Sequence, residues 1–382
     1  MTIVSVFRRP PTVLRFTDSG LRTADSRCIL ISAGEVSGFL FADLLEREIK
    51  KLNPEVRVVK LDVSYGLGPT LGLWEGARRM FSVGRLLRHH FFYVQQLNPD
   101  VLVLIGFPGV NLFLGKKFRK LGIPVVYLAA PQIWAWGSFR VKLLRQAVNR
   151  VFCLFLFEER LLRSLGIDAV YYGYPLLDSV KSTLKREEVL SFLGFNSDTK
   201  YIVLLPGSRS AETKFHQPLF LRIFNRLKRR YLGLKGVVIG GFGNLAEGQE
   251  VIRIPPEKRY EVIRHAHLAL VVSGTATAET AILGTPEVAS YHFTQPGRFL
   301  ARLMVKLRYF SIPNIVADSM VIPEFLSPDE ERLYQTAQRL FSDEVYREKI
   351  RAGLARVKEL LGPPGAMAKI AAEILQLTTP CP

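Results

Sequence analysis

The chain has 382 residues, 48% hydrophobic and 23% charged, a balance that excludes wholesale disorder and suits two domains of ordinary size. A net charge of +18, from 52 Lys and Arg against 34 Asp and Glu, favours a polyanionic partner. Composition alone leaves phosphates on a small molecule, anionic lipid head groups and nucleic acid all open. Three separated cysteines (Cys28, Cys153, Cys381) and histidines without HExxH spacing suggest neither a disulfide framework nor a metal site, so a reducing cytosol is the expected compartment.

Residues 1–28 lack the continuous apolar run of a signal peptide and read as a basic, disordered extension. Short β-branched runs then alternate with longer amphipathic stretches, the pattern of βαβ units and parallel sheets. Strands are predicted at 28–33, 56–61, 100–106, 123–130 and 150–155. A charged interval at 181–200 reads as a linker, after which strands return at 201–207, 236–241 and 268–274. The longest uncharged apolar stretch, 101–115, is too short to span a bilayer, so any membrane contact is expected to be peripheral. Two Rossmann-like halves follow, at 29–180 and 181–342, with helices at 343–382 that cross back to the first.

Three loops join a buried strand to a helix start through small residues. The first runs Gly34-Glu35-Val36-Ser37-Gly38, the second Gly207-Ser208-Arg209, and the third Ser273-Gly274-Thr275-Ala276-Thr277. Glycines let backbone approach a ligand closely, and free N–H groups at helix starts suit phosphate oxygens. Arg209 offers a bidentate phosphate contact, and Glu279, one turn into its helix, can meet ribose hydroxyls. Two such loops in one half mark it as a nucleotide pocket.

Trp134 and Trp136 lie at the carboxyl end of the 123–130 strand, where aromatic rings can stack on sugar faces or cap a core edge. Between 76 and 96 there is no acidic residue. There Arg78 and Arg79 interleave with Phe81, Leu86, Leu87 and Phe91, with Trp74 just before. A second acid-free stretch spans 288–317. Both suit an interfacial helix on anionic lipid, and no nucleic-acid-binding pattern is recognisable.

These motifs together resemble the lipid A disaccharide synthase family. They are AGEVSG at 33–38, PDVLVLIG at 99–106, PGVN at 108–111, PQIWAW at 131–136, FLFEERLL at 155–162 and YYGYPLLD at 171–178. LLPGSRSAE at 204–212, SGTATAE at 273–279, IPNIVA at 312–317 and VIPEFL at 321–326 complete the set. The resemblance implies a GT-B fold, two Rossmann-like domains with parallel sheets facing a central cleft. It implies an inverting transferase of lipid A biosynthesis that needs no metal or other cofactor. The donor would be UDP-2,3-diacylglucosamine and the acceptor 2,3-diacylglucosamine 1-phosphate, met at the inner face of the cytoplasmic membrane; a homodimer is left open. By the same resemblance Ser208, Arg209, Ser273, Gly274, Thr275, Thr277 and Glu279 hold the UDP. Gly34, Ser37, Gly38, Trp134 and Trp136 face the acceptor, Asn111, Gly207, Ala276 and Asn314 are further substrate-binding residues, and 71–92 touches the membrane.

The chain departs from the family pattern where an Asp suited to act as catalytic base is expected, since Gly106 stands there. Phe39 follows Ser37-Gly38 where the family has Asp, and Ser327 stands in place of a Gln after PEFL. Glu35 and Asp43 are the carboxylates placed to substitute as base. A divergent paralogue with another acceptor, a non-catalytic glycolipid- or nucleotide-binding relative, and an epimerase of UDP-sugars are the competing readings.

Overall fold

The computed structural model describes residues 16–18, 27–34, 36–63, 91, 97–136, 139–241, 251–292 and 308–378; for 16–18, 135, 136, 139 and 140 only the backbone is described. The chain divides into two compact units. The first takes the described residues through Pro175 and those from Pro363 onward, and the second takes Leu176 to Gly362 without the segment between.

Strand β1 (Phe16–Asp18) and the parallel strands β2 (Cys28–Ala33), β3 (Arg57–Asp62), β4 (Val101–Ile105), β5 (Val125–Leu128), β6 (Arg150–Phe152) and β7 (Ala169–Val170) form the first sheet. Their order is β1-β3-β2-β4-β5-β6-β7, and β1 lies antiparallel on the β3 edge. The extension expected to be disordered therefore contains an edge strand, whose backbone completes the open ladder of β3. Strands β2 and β4 are buried along their whole length, as central strands covered on both faces must be. Helix Ala366–Leu377 belongs to this unit and packs on helix Val36–Leu52. Its Glu373 receives the Arg150 guanidinium at 3.1 Å and the Tyr172 hydroxyl. Only this last part of the 343–382 segment returns to the first unit, because helix Glu344–Leu360 stays with the second.

The second sheet contains β8 (Tyr201–Leu205), β9 (Lys235–Ile239), β10 (Val251–Ile254), β11 (Leu268–Val272), β12 (Glu287–Tyr291) and β13 (Glu324–Leu326). The order β10-β9-β8-β11-β12-β13, all parallel, is that of a dinucleotide-binding sheet. Helix Ser210–Arg230 buries Leu219, Phe220, Ile223, Phe224 and Leu227 at helical spacing. The interval expected to be a linker is part of this unit. Its Ser182 and Thr183 bind Glu261, and Arg186 donates to the carbonyls of His265 and Thr199 at 2.9 and 2.8 Å. Charge read there as a solvated linker is used to close the unit.

Candidate functional site

In an open parallel sheet, ligands bind at the carboxyl edge where the strand order reverses direction. In the second sheet that point lies between β8 and β11, so the loops at Gly207 and Gly274 are neighbours there. Two helix N-termini, Ser210–Arg230 and Thr275–Leu283, open at this edge with their free N–H groups.

The first loop is organised by Glu212. It accepts the Arg209 backbone N–H at 3.3 Å and pairs with the Arg209 guanidinium at 2.9 Å. Gly207 has φ +100, and a Cβ there would lie 2.7 Å from Glu212, so only glycine permits this closure. Behind it, His216 holds the Glu212 carbonyl at 2.9 Å; burial, then His292, push its pKa down to about 4, so it is neutral. Ser208 is exposed on the loop.

The second loop is tied down from below. Ser273 donates to the Phe310 carbonyl at 2.9 Å, and Thr277 donates to Gly274 at 2.8 Å while accepting the Ile312 N–H at 3.4 Å. Glu324 of the VIPEFL motif fixes that support by accepting the N–H and hydroxyl of Ser311 at 2.9 and 2.6 Å. Gly274, at φ +151, turns the chain into the helix. Glu279 is buried below the loop, and its Oε1 accepts Arg259 at 3.0 Å and the Tyr260 hydroxyl at 2.8 Å. Burial and then Glu279 raise the Tyr260 hydroxyl, which stays a proton donor. Burial lowers Arg259, but Glu279 and Tyr260 outweigh it and keep the guanidinium charged. Both bonds fall on one carboxylate oxygen, which leaves Oε2 for a hydroxyl of a ligand. Arg259 and Tyr260 carried no signal in the sequence, since KRYE is an ordinary surface helix start.

The first unit has its own reversal point, between β2 and β4. Gly34 lies against Phe107, and a Cβ there would sit 2.6 Å from the ring. Gly106 and Phe107 have φ +56 and +47, a paired left-handed turn held at its centre by hydrogen bonds. The Gly106 carbonyl accepts Asn111 Nδ2 at 2.8 Å and the Tyr127 hydroxyl at 2.6 Å. Asn111 also accepts the Ser32 hydroxyl at 2.6 Å and reaches the Ser32 and Ile105 carbonyls.

Asn111, expected at the substrate, is thus fully buried and clamps the ends of β2 and β4. Asn314 behaves alike: buried, it donates to the Ile322 carbonyl and accepts the N–H groups of Val321 and Ile322. A buried amide whose oxygen and nitrogen both have partners within the fold acts as a structural clamp. Asp43, expected as a base, stands exposed mid-helix and is paired with Lys60 of β3 at 2.6 Å. Phe91, expected at the membrane, is half-buried edge-on against Phe118, 5.6 Å between centroids. Ser37 is half-buried and Gly38 buried at the start of helix Val36–Leu52, and Thr275 and Ala276 are half-buried at the start of theirs. Trp134 is half-buried after β5, its indole N–H on Glu158 at 2.9 Å. Glu35, Trp74, Arg78, Arg79, Phe81, Leu86, Leu87 and the Trp136 side chain lie outside the described residues, as do residues 293–307 of the 288–317 stretch. A cavity of about 300 Å³ in the second unit, lined by Arg264, His265, Thr285 and Arg351, opens at the amino-terminal ends of β11 and β12, away from these loops.

Among solved structures, the chain is similar to a Staphylococcus aureus MnaA–UDP co-structure, with TM-score 0.66 and 15% identity over 92% of this chain and 97% of that one. It is also similar to UDP-GlcNAc 2-epimerase from Neisseria meningitidis bound to UDP-GlcNAc, with TM-score 0.62 and 15% identity over 92% and 99%. At such identity these likenesses speak for the GT-B fold alone. In sequence, it is 32% identical to lipid-A-disaccharide synthase of Solibacter usitatus over 91% of this chain and 97% of the relative. The same enzyme of Syntrophus aciditrophicus is 31% identical over 92% and 98%. With the lipid-A-disaccharide synthetase family model matching residues 29–361, the chain belongs to that family of glycosyltransferases.

Proposed function

We propose that this chain transfers 2,3-diacylglucosamine from its UDP derivative to 2,3-diacylglucosamine 1-phosphate. The products are a β-1,6-linked disaccharide 1-phosphate and UDP. The observation that carries the reading is the pairing of the Gly207 and Gly274 loops at the reversal point of the second sheet, above a buried Glu279. UDP in the S. aureus relative and UDP-GlcNAc in the N. meningitidis one support a uridine nucleotide as the ligand.

The diphosphate lies on the two helix N-termini with Arg209, and Glu279 Oε2 takes a ribose hydroxyl. The acceptor hydroxyl forms a bond to the anomeric carbon as the carbon–oxygen bond to UDP breaks, with inversion. The electron pair leaves on a diphosphate oxygen, where helix dipoles and guanidinium stabilise it best as charge develops. The hydroxyl proton goes to a carboxylate. Gly106 cannot take it and Asp43 is engaged by Lys60, so we assign Glu35, next to the Gly34–Phe107 contact in the chain. Acceptor contacts come from the first unit's strand-end loops, including Trp134. No helix among the described residues is long and apolar enough to cross a membrane. Acylated substrates still have to be drawn from a bilayer, and the basic, apolar stretches at 76–96 and 288–317 suit docking on its anionic inner face.

The test is UDP release and disaccharide formation in mixed micelles by the wild type and by Glu35→Ala, Asp43→Ala and Glu279→Ala. Turnover lost with Glu35→Ala and kept with Asp43→Ala supports the assignment. UDP binding without turnover would mean a binding protein, and interconversion of UDP-sugars without acceptor would mean an epimerase.

A further inference from the structure

Glu158, in the FLFEERLL motif, begins helix Leu156–Ser164 just after β6 and is 8% exposed. Its Oε2 accepts the N–H groups of Leu154 and Phe155 at 3.0 and 3.2 Å, closing the helix start. Its Oε1 does something a helix cap does not require: it accepts the Trp134 indole N–H at 2.9 Å. One carboxylate therefore links the loop after β5 to the loop after β6. The indole also meets Phe157 edge-on, centroids 5.2 Å apart at 83°. Phe157 stacks on Phe155 at 5.5 Å, and Phe155 on Tyr174 at 5.8 Å. A ring held by its N–H at one edge and by an aromatic column at its side has one orientation open to it.

We propose that Glu158 is a positioning residue for the transfer reaction: without touching substrate, it fixes the Trp134 indole that the acceptor sugar meets. This rests on reading Trp134 as an acceptor contact. Glutamine could not replace it, because its single accepting oxygen serves the indole or the backbone N–H pair but not both.

The link is sensitive to pH. Burial, the largest influence, pushes Glu158 up to about 7, against the indole and the two backbone N–H groups that pull it down. The Cys153 thiol and Tyr171 hydroxyl that face it are raised by burial and by Glu158 itself, so both are neutral in this range. The other charged residues of its helix are Glu159, Arg160 and Arg163, of which Glu159 and Arg163 pair with each other at 2.9 Å. Protonation of Glu158 as the pH falls through 7 weakens its hold on the indole.

The experiment compares Glu158→Gln, Trp134→Phe and the double variant by acceptor KM, donor KM and kcat from pH 6 to 8, together with indole emission taken as the difference from Trp134→Phe. A hydrogen bond to a charged group contributes about 1.5–3 kcal/mol, so acceptor KM is expected to rise roughly tenfold or more in Glu158→Gln, with donor KM within twofold. The double variant should be no worse than Trp134→Phe alone. Indole emission should titrate near pH 7 in the wild type and stay flat in Glu158→Gln. Donor and acceptor KM moving together with a lowered Tm would reduce Glu158 to a helix cap and overturn the proposal. An emission titration that Glu158→Gln abolishes, with acceptor KM unmoved in every variant, would leave the bond standing and refute Trp134 as an acceptor contact. Should Glu158→Gln fail to fold, the wild-type pH dependence of acceptor KM must vanish in Trp134→Phe; its persistence would equally overturn the proposal.

Discussion

Glu287 opens β12 in the interior of the second sheet, 0% exposed, and neither carboxyl oxygen has a hydrogen-bond partner among the described residues. Burial holds its pKa well above the ordinary carboxylate range. An unpartnered buried polar group costs about 1–3 kcal/mol even when neutral. Retaining a proton that the unfolded chain has released costs about 1.4 kcal/mol more per pH unit above roughly 4.3, up to the folded pKa. Methionine has similar length and neither liability, so Glu287→Met should stabilise the second unit by at least about 1–3 kcal/mol, with a further gain that grows as the pH rises. For a unit of this size that is a rise in Tm of roughly 2–4 °C per kcal/mol.

The sign with pH is fixed. A carboxyl raised by folding contributes stability below its unfolded pKa and loses it as the pH climbs toward the folded value. Wild type therefore weakens relative to the variant on going from pH 5 to pH 7.5, and the gain grows. Urea unfolding at both pH values, followed by far-ultraviolet circular dichroism, measures it. A destabilised variant would show that the carboxyl has a partner, and an equal gain at both pH values would show that it is not held protonated.

Gly106→Asp should be tolerated, because φ +56 is a conformation aspartate accepts and a Cβ there meets nothing within 4 Å. It should restore at least tenfold turnover to Glu35→Ala, read by initial rates, general-base catalysis being worth about 10²–10⁴-fold. Glu279→Gln should weaken UDP binding roughly tenfold by calorimetry while leaving the melting curve near wild type, since Arg259 and Tyr260 keep an acceptor. Gly34→Ala forces a Cβ to within 2.6 Å of Phe107 and should cost about 1–3 kcal/mol in urea unfolding, relieved in the double variant with Phe107→Ala.

The two nucleotide loops were legible because each places glycine and small residues after a fully apolar run, which local sequence displays. What made them one site was the strand order, which sets β8 beside β11. Arg259 and Tyr260 were illegible, since they reach Glu279 from 20 and 19 positions away and nothing in KRYE differs from a solvated helix start. Asn111 and Asn314 carry a different ambiguity. A motif asparagine looks the same whether its partner is a ligand or a backbone carbonyl, and only burial decides. Likewise the charged 181–200 interval read as a linker, although its Arg186 bridges two carbonyls.

Asn111 also explains how the loop after β4 keeps its shape without the aspartate expected at 106. The turn is fixed by the Gly106 carbonyl, which Asn111 and Tyr127 hold, and by the Phe107 ring against Gly34. None of these contacts involves the side chain at 106, whose place is open. Scaffold and base are therefore separable in this loop: the acid can be absent here and supplied from the adjoining loop after β2 without rebuilding either strand end. The same separation holds in the second unit, where Glu212, Glu324 and Asn314 shape the loops while Glu279 Oε2 accepts neither Arg259 nor Tyr260. The residues that shape the loops are thus distinct from the group that performs the proton transfer, and Glu35→Ala with and without Gly106→Asp asks whether that group has moved.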